Sequence, residues 1–181
     1  MTLPFFTIGH SDRRLDEFLG LLREARVELV ADVRKIPRSR ANPQFNVDAL
    51  PDALVACDIR YEHMAALGGL RGRSKAVPPD TNAFWTNESF HAYADYALTP
   101  PFRAGLARLR DAGRERRCAI MCAEAVWWRC HRRIVADYLL AAGEMVFHIL
   151  RPGDPEPARL TPEAVVRSDG TIVYPAAPAS S

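Results

Sequence analysis

The first thirty or so residues constrain the fold more than any other stretch. Phe5-Phe6-Thr7-Ile8 is a short apolar run ended by Gly9, as expected of a buried strand. Leu15, Phe18, Leu19 and Leu22 then recur at helical spacing on one face, with Ser11 or Asp12 placed to cap the helix. Val27-Glu28-Leu29-Val30-Ala31-Asp32-Val33 returns to strand character. Strand, helix and strand in so short a span make a βαβ unit, whose crossover calls for a parallel strand pair.

The remaining chain extends this pattern. Residues 34–46 read as irregular, 47–55 as a helix and 59–61 as a short third strand. Gly68, Gly69, Gly72, Pro78 and Pro79 predict a long loop over 68–84, a length that is usually functional or mobile and suits a lid. Helices are predicted around 89–98 and 101–112, separated by Pro100-Pro101. Residues 117–123 read as a central strand, 134–142 as a helix closed by Gly143, and 144–150 as a further strand. Asp169-Gly170 between two short β-prone runs predicts a hairpin, and residues 176–181 read as frayed. The expected architecture is α/β: a single-domain open, mostly parallel sheet with helices on both faces, plus a C-terminal β-hairpin. Residues 1–150 form the expected α/β domain. Residues 151–181 form an extension that is either part of the same domain or an arm.

Composition narrows the class. A chain of 181 residues buries about 70% of its unfolded surface, so its core needs no metal or disulfide scaffold. With 48% hydrophobic and 25% charged residues it is not a largely disordered protein. No apolar run approaches the roughly 18 residues that span a bilayer, so no membrane partner is expected. The opening Thr2-Leu3-Pro4-Phe5-Phe6 has no basic leader or cleavage site, and Cys57, Cys118, Cys122 and Cys130 do not make a disulfide framework. The expected compartment is a reducing cytoplasm. The balance of 24 Lys and Arg against 22 Asp and Glu argues against a dedicated nucleic-acid coat. The cations are clustered, however: Arg34, Lys35, Arg38 and Arg40; Arg71, Arg73 and Lys75; Arg129, Arg132 and Arg133.

Three predicted strands end in polar residues that a mere connector does not need. The first runs into Gly9-His10-Ser11, the second into Asp32-Val33-Arg34 and then Pro37-Arg38-Ser39-Arg40, and the central one into Glu124 and Cys130-His131-Arg132. Ligands of open parallel sheets bind beyond the carboxyl ends of the strands, so these stretches should line one crevice. Several members have two readings. Ser11 caps a helix or binds a ligand, and His10 satisfies a neighbouring carbonyl or catalyses. Asp32 and Arg34 share a side of the strand, either as a structural pair or as a ligand-binding arginine held by its carboxylate. Cys130 at a helix start is either an activated thiolate, with His131, His10 or Glu124 as base or acid, or a small space-filler in an anion site. Cys118 and Cys122 read as core residues. Zinc on Cys122, Cys130, His131 and His10 lacks a usual ligand spacing, and no dinucleotide, P-loop or hydrolase-elbow motif occurs, so no metal or cofactor is expected.

The ordered motifs Thr7-Ile8-Gly9-His10-Ser11, Asp32-Val33-Arg34, Pro37-Arg38-Ser39, Gln44-Phe45, Leu67-Gly68-Gly69, Cys122-Ala123-Glu124, Cys130-His131-Arg132 and His148-Ile149 resemble the family catalogued as domain of unknown function 488. The resemblance implies an α/β fold. It also marks His10, Ser11, Asp32, Arg34, Ser39, Glu124, Cys130, His131 and Arg132 as family polar positions. Ala125-Val126-Trp127-Trp128-Arg129 departs from the charged or proline-containing linker more typical there. The expected function is that of an enzyme acting on a phosphate-bearing substrate, a nucleotide or nucleic-acid end. Cys130, His10, Glu124 and His131 are its catalytic candidates. Ser11, Asp32, Arg34, Ser39, Arg40, Arg71 and Arg132 are its anion-binding candidates. The alternative is a non-catalytic nucleic-acid-binding module with Trp85, Trp127 and Trp128 as stacking platforms. A third reading makes Cys122 and Cys130 a redox or metal sensor.

Overall fold

Strand β1 (Phe5–Gly9) is buried along its whole length, because it lies between two other strands and under helices on both faces. The computed structural model describes residues 2–178. After β1 come α1 (Leu15–Glu24), β2 (Leu29–Asp32), α2 (Leu50–Val55) and β3 (Arg60–His63). The second half contributes α3 (Glu88–Tyr96), α4 (Pro100–Glu115), β4 (Cys118–Cys122), α5 (Arg132–Ala141) and β5 (Val146–Ile149). Three two-residue strands follow: β6 (Glu156–Pro157), β7 (Val165–Val166) and β8 (Ile172–Val173). Among the described residues no helix is long and apolar enough to cross a membrane.

The main sheet runs β3-β2-β4-β1-β5-β6, parallel throughout except for β6. The expected α/β architecture is therefore present, with one refinement. β1 and β2 are parallel but not neighbours, since β4 is inserted between them and pairs with both. Their alternating side chains feed two cores. Phe6, Ile8, Val30, Ala119 and Met121 face α1 and α2 through Phe18, Leu22, Leu50 and Leu54. Phe5, Ala31, Cys118 and Ile120 face α3, α4 and α5 through Ala94, Phe102, Leu109, Ile134 and Leu139. A strand buried on both faces must be apolar at successive positions, which is why these strands read as continuous runs.

Several local expectations need correction. Neither Ser11 nor Asp12 caps α1: Arg14 occupies that position without a side-chain bond, and Ser11 adopts a left-handed backbone with φ 48°. The two helices expected around 89–98 and 101–112 are present as α3 and α4, but Pro100 lies not between them but in the first turn of α4, where its missing N–H leaves no bond unmade. β6 has no apolar run to announce it and adds an antiparallel edge to β5. The β7–β8 hairpin is present but pairs with itself, not with the main sheet. It is nevertheless anchored: Ile172 and Tyr174 are buried in the α3–α5 core, and the Tyr174 hydroxyl donates to Asp137 at 2.8 Å. Of the segment expected to fray, residues 179–181 lie outside the described residues.

The topology sets the position of any site. Connections leaving β1 and β2 pass over one face, and those leaving β3 and β4 pass over the other. The carboxyl end of β4, flanked by β1 and β2, is thus the point where the winding changes sides. Open α/β sheets leave a crevice at such a point.

Candidate functional site

A cavity of about 430 Å³ opens at this switch point. Its wall brings together His10, Arg34, Ser39, Glu124, Cys130 and His131 from the three segments that follow β1, β2 and β4. Close approach of the segments after β1 and β4 requires glycine at position 9, and Gly69, in the loop after β3, packs tightly against His131. A Cβ on Gly9 would lie 1.8 Å from the Glu124 carbonyl oxygen, and one on Gly69 would lie 3.0 Å from His131 Nδ1.

Asp32 and Arg34 form a buried bidentate pair. Arg34 Nε donates to Asp32 Oδ1 at 2.9 Å and Nη2 to Oδ2 at 2.7 Å. Arg34 Nη2 also donates to the Phe45 carbonyl, and Nη1 donates to His10 Nε2 at 3.2 Å. Four of its five N–H donors are used, which leaves one Nη1–H for the cavity. Asp32 is fully buried behind Arg34 and holds it rather than meeting a ligand. His10 donates Nδ1–H to the Ser11 carbonyl, stacks on Phe45 and spends its other nitrogen on Arg34. Burial pushes its pKa down against the pull of that carbonyl, and Arg34 adds to the lowering. A neutral imidazole with both nitrogens engaged positions Arg34; it has no lone pair left to act as a base.

Cys130 has different surroundings. Its sulfur lies 2.6 Å from the Cys122 sulfur, accepts from the Arg132 backbone N–H and Nε at 3.4 Å each, and lies 3.5 Å from His131 Nδ1. Arg132 is 1% exposed, yet no carboxylate among the described residues pairs with it. Its other partners are neutral: the Glu124 carbonyl at 2.7 Å and Thr7 Oγ1 at 3.3 Å. A buried cation without a counter-charge is costly, and arginine cannot shed its proton. The Cys130 sulfur is the group able to neutralise it. Burial alone would raise the Cys130 pKa, but the Cys122 S–H donor, His131 and Arg132 outweigh it and carry the thiol well below its ordinary value. Burial and the bond to Cys130 push Cys122 the opposite way, so Cys122 keeps the shared proton. His131 Nε2–H donates to the Val33 carbonyl at 2.9 Å, which turns Nδ1 toward the sulfur. A nucleophile, its base and a third group orienting that base are the parts of an activated cysteine.

Arg132 also heads a relay that sequence reasoning missed. It donates to Thr7 Oγ1, and the Thr7 hydroxyl donates to His148 Nδ1 at 2.6 Å. His148 is stacked on Trp127 with centroids 4.3 Å apart, and burial followed by the Arg132 charge lowers its pKa from 6.5 to about 3. A base with a depressed folded pKa favours the fold above its unfolded value near 6.5 and withdraws that support as the unfolded chain takes up the proton. Stability should therefore fall by a few kcal/mol between about pH 6.5 and about 3. Denaturation midpoints across that range, compared with His148→Gln, check it: the variant should have a shallower slope.

Other expected site residues lie elsewhere. Ser11 bonds Asp12, and Arg40 is exposed outside the cavity wall. Arg71 donates to the Gly68 and Ala65 carbonyls and covers Tyr96 at 3.9 Å, so it braces the loop and does not line the cavity. Arg132 lies beneath Cys130, not on the wall. In their place the wall carries Lys35, Arg38 and Arg129 from the basic clusters. Arg38 is held only at 3.8 Å by Asp48, and Arg129 has no carboxylate partner among the described residues. Cys122, read first as core, is both core and cavity wall. Trp85 is buried and stacked on Phe90, and Trp127 is stacked on His148, which leaves Trp128, 45% exposed, as the one open ring of the three. Among the described residues no three His, Cys, Asp or Glu side chains converge as metal ligands.

A family model described as domain of unknown function DUF488 matches residues 14–139, more than half of the chain. The matched span includes Asp32, Arg34, Cys122, Glu124 and Cys130–Arg132, while Thr7, His10 and His148 fall outside it. No curated protein and no solved structure matches the chain.

Proposed function

Since the chain belongs to the DUF488 family, whose description assigns no activity, we propose a function from its own site: an enzyme that uses the Cys130 thiolate on a phosphate-bearing substrate. The observation that carries this reading is the buried Arg132 guanidinium, which pairs with no carboxylate among the described residues and donates to the Cys130 sulfur on the cavity wall. Lys35, Arg38 and Arg129 hold the substrate's phosphate by charge-assisted bonds, and the free Arg34 N–H adds a fixed donor. Ile36 and Leu70, 61% and 75% exposed, line the same cavity with Phe90 and take an apolar or aromatic portion of the substrate. A nucleotide or a nucleic-acid end combines these two parts.

In the reaction the sulfur bonds to the electrophilic atom as the bond to the leaving group breaks with its electron pair. His131, having taken the Cys130 proton on Nδ1, gives it to the leaving group. Water then releases the covalent adduct, its proton returning to the same residue. Inorganic phosphate, nucleoside monophosphates and short phosphorylated oligonucleotides should slow alkylation of Cys130, and Lys35→Ala with Arg129→Ala should weaken that protection about tenfold or more. The protecting class should be turned over by the wild-type chain and bound without turnover by Cys130→Ala. Protection by none of these ligands, or turnover by Cys130→Ala at the wild-type rate, would overturn the reading.

A further inference from the structure

Cys122 can do more than donate its S–H to the Cys130 sulfur. Its sulfur is 2.6 Å from that of Cys130, both line the same cavity, and both are free thiols. The other two cysteines are remote. Cys118 begins β4 at the opposite end from Cys122, and Cys57 follows α2 on the other face of the sheet. The main chain between Cys122 and Cys130 is a loop with one short helical turn, so closing the pair breaks no sheet or long-helix bonding.

We propose that Cys122 is the resolving thiol of Cys130 and that the two close into a reversible disulfide when a hydroperoxide enters the cavity. The inference rests on the reading of Cys130 as a thiolate. Its sulfur attacks one peroxide oxygen, an S–O bond forms as the O–O bond breaks, and the departing alkoxide or hydroxide takes a proton from solvent. Cys130 is then a sulfenic acid. The Cys122 sulfur attacks it, the S–S bond forms as the S–O bond breaks, and water leaves with the Cys122 proton. Overall two thiols and one hydroperoxide give one disulfide, one alcohol or water, and one further water.

This closure has two consequences. It stops Cys130 short of the irreversible sulfinic and sulfonic acids. It also removes the anion facing Arg132, which leaves a buried guanidinium with only the Glu124 carbonyl and the Thr7 hydroxyl as partners. The oxidised form is therefore strained electrostatically and is readily reopened by a monothiol such as glutathione. The pair switches the site off under peroxide and back on in a reducing cell.

The test treats the full chain with hydrogen peroxide, blocks remaining thiols and maps the cysteines by peptide mass spectrometry. Expected is a Cys122–Cys130 cross-link with loss of two hydrogens, reversed by reduced glutathione together with the return of Cys130 alkylation. In Cys122→Ala, with its fold checked by circular dichroism, Cys130 should instead gain one oxygen and then two or three. Oxygenated Cys130 without the cross-link in the wild type, or a cross-link through Cys57 or Cys118, would overturn the proposal. Alkylation of the untreated protein separates the two readings: a fast-reacting Cys130 with no cross-link removes the resolving role alone, whereas a slow-reacting Cys130 removes the thiolate reading itself.

Discussion

Replacing Arg132 with methionine should slow alkylation of Cys130 at pH 7, about tenfold for each unit by which the thiol's pKa climbs back toward its ordinary value, because one of the three groups that sustain the thiolate beside Cys122 and His131 is gone. Methionine fills similar space while removing the charge and the Nε donor that face the sulfur. Lysine at the same position keeps the charge but not the planar fork that reaches Thr7 and Glu124 together, so Arg132→Lys should fall between the two. The loss of stability should be the smaller effect. Once the cation is gone, Cys130 can take up a proton and become a neutral buried thiol, so no charge is stranded. About 1–3 kcal/mol is expected from the donors lost to Thr7 and the Glu124 carbonyl. Alkylation kinetics and urea denaturation on the same three proteins check both halves. Equal alkylation rates in all three would mean that the guanidinium does not hold the thiolate.

Asp32→Ala should show the reverse, a loss of about 3–5 kcal/mol in stability. Here the partner left behind is Arg34, 6% exposed on its side chain, and it cannot neutralise itself. Tyr61 loses its acceptor in the same step, and the Arg34 backbone N–H loses another. With a urea slope near 2 kcal/mol/M, the midpoint should fall by about 2 M. The double variant Asp32→Ala with Arg34→Met should recover most of the loss, since a buried ion pair removed whole is often nearly neutral. A single variant as stable as wild type would mean that Arg34 is not held buried by Asp32. The contrast between the two arginines is chemical: Arg34 is held by a carboxylate, whereas Arg132 faces a sulfur whose thiolate form Cys122, His131 and Arg132 sustain together.

The parallel sheet was legible because β1, β2 and β4 are buried on both faces and so are apolar at consecutive positions. The insertion of β4 between β1 and β2 was not, since strand order is decided by packing among residues some ninety apart and not by any local pattern. The crevice was legible from the polar residues that end three strands. His10 and Arg132 were misplaced within it for one reason. Sequence shows which groups are near a strand end but not which of them are consumed by neighbours. His10 spends both nitrogens on Ser11 and Arg34, and Arg132 is drawn under the sheet end by Thr7, 125 residues away in sequence. The contact between Cys122 and Cys130 depends on the loop between them folding back, and Trp127 helps to fix that loop by stacking on His148, a partner twenty-one residues ahead. Ser11 was misread as a cap because a serine at a left-handed turn and a serine at a helix start look alike in sequence.

The central claim is that Cys130 is a thiolate at neutral pH. Its most direct test is the rate of Cys130 alkylation by iodoacetamide across pH, followed by peptide mass spectrometry, with Cys130 compared with Cys118 in the same sample. Burial raises the Cys118 thiol to about 12, so Cys118 should stay nearly inert throughout. Cys130 should already react at its plateau rate at pH 7, with the rate falling only well below the ordinary thiol range. A Cys130 rate that climbs steadily with pH through about 8.5, as for an unassisted thiol, would contradict the account.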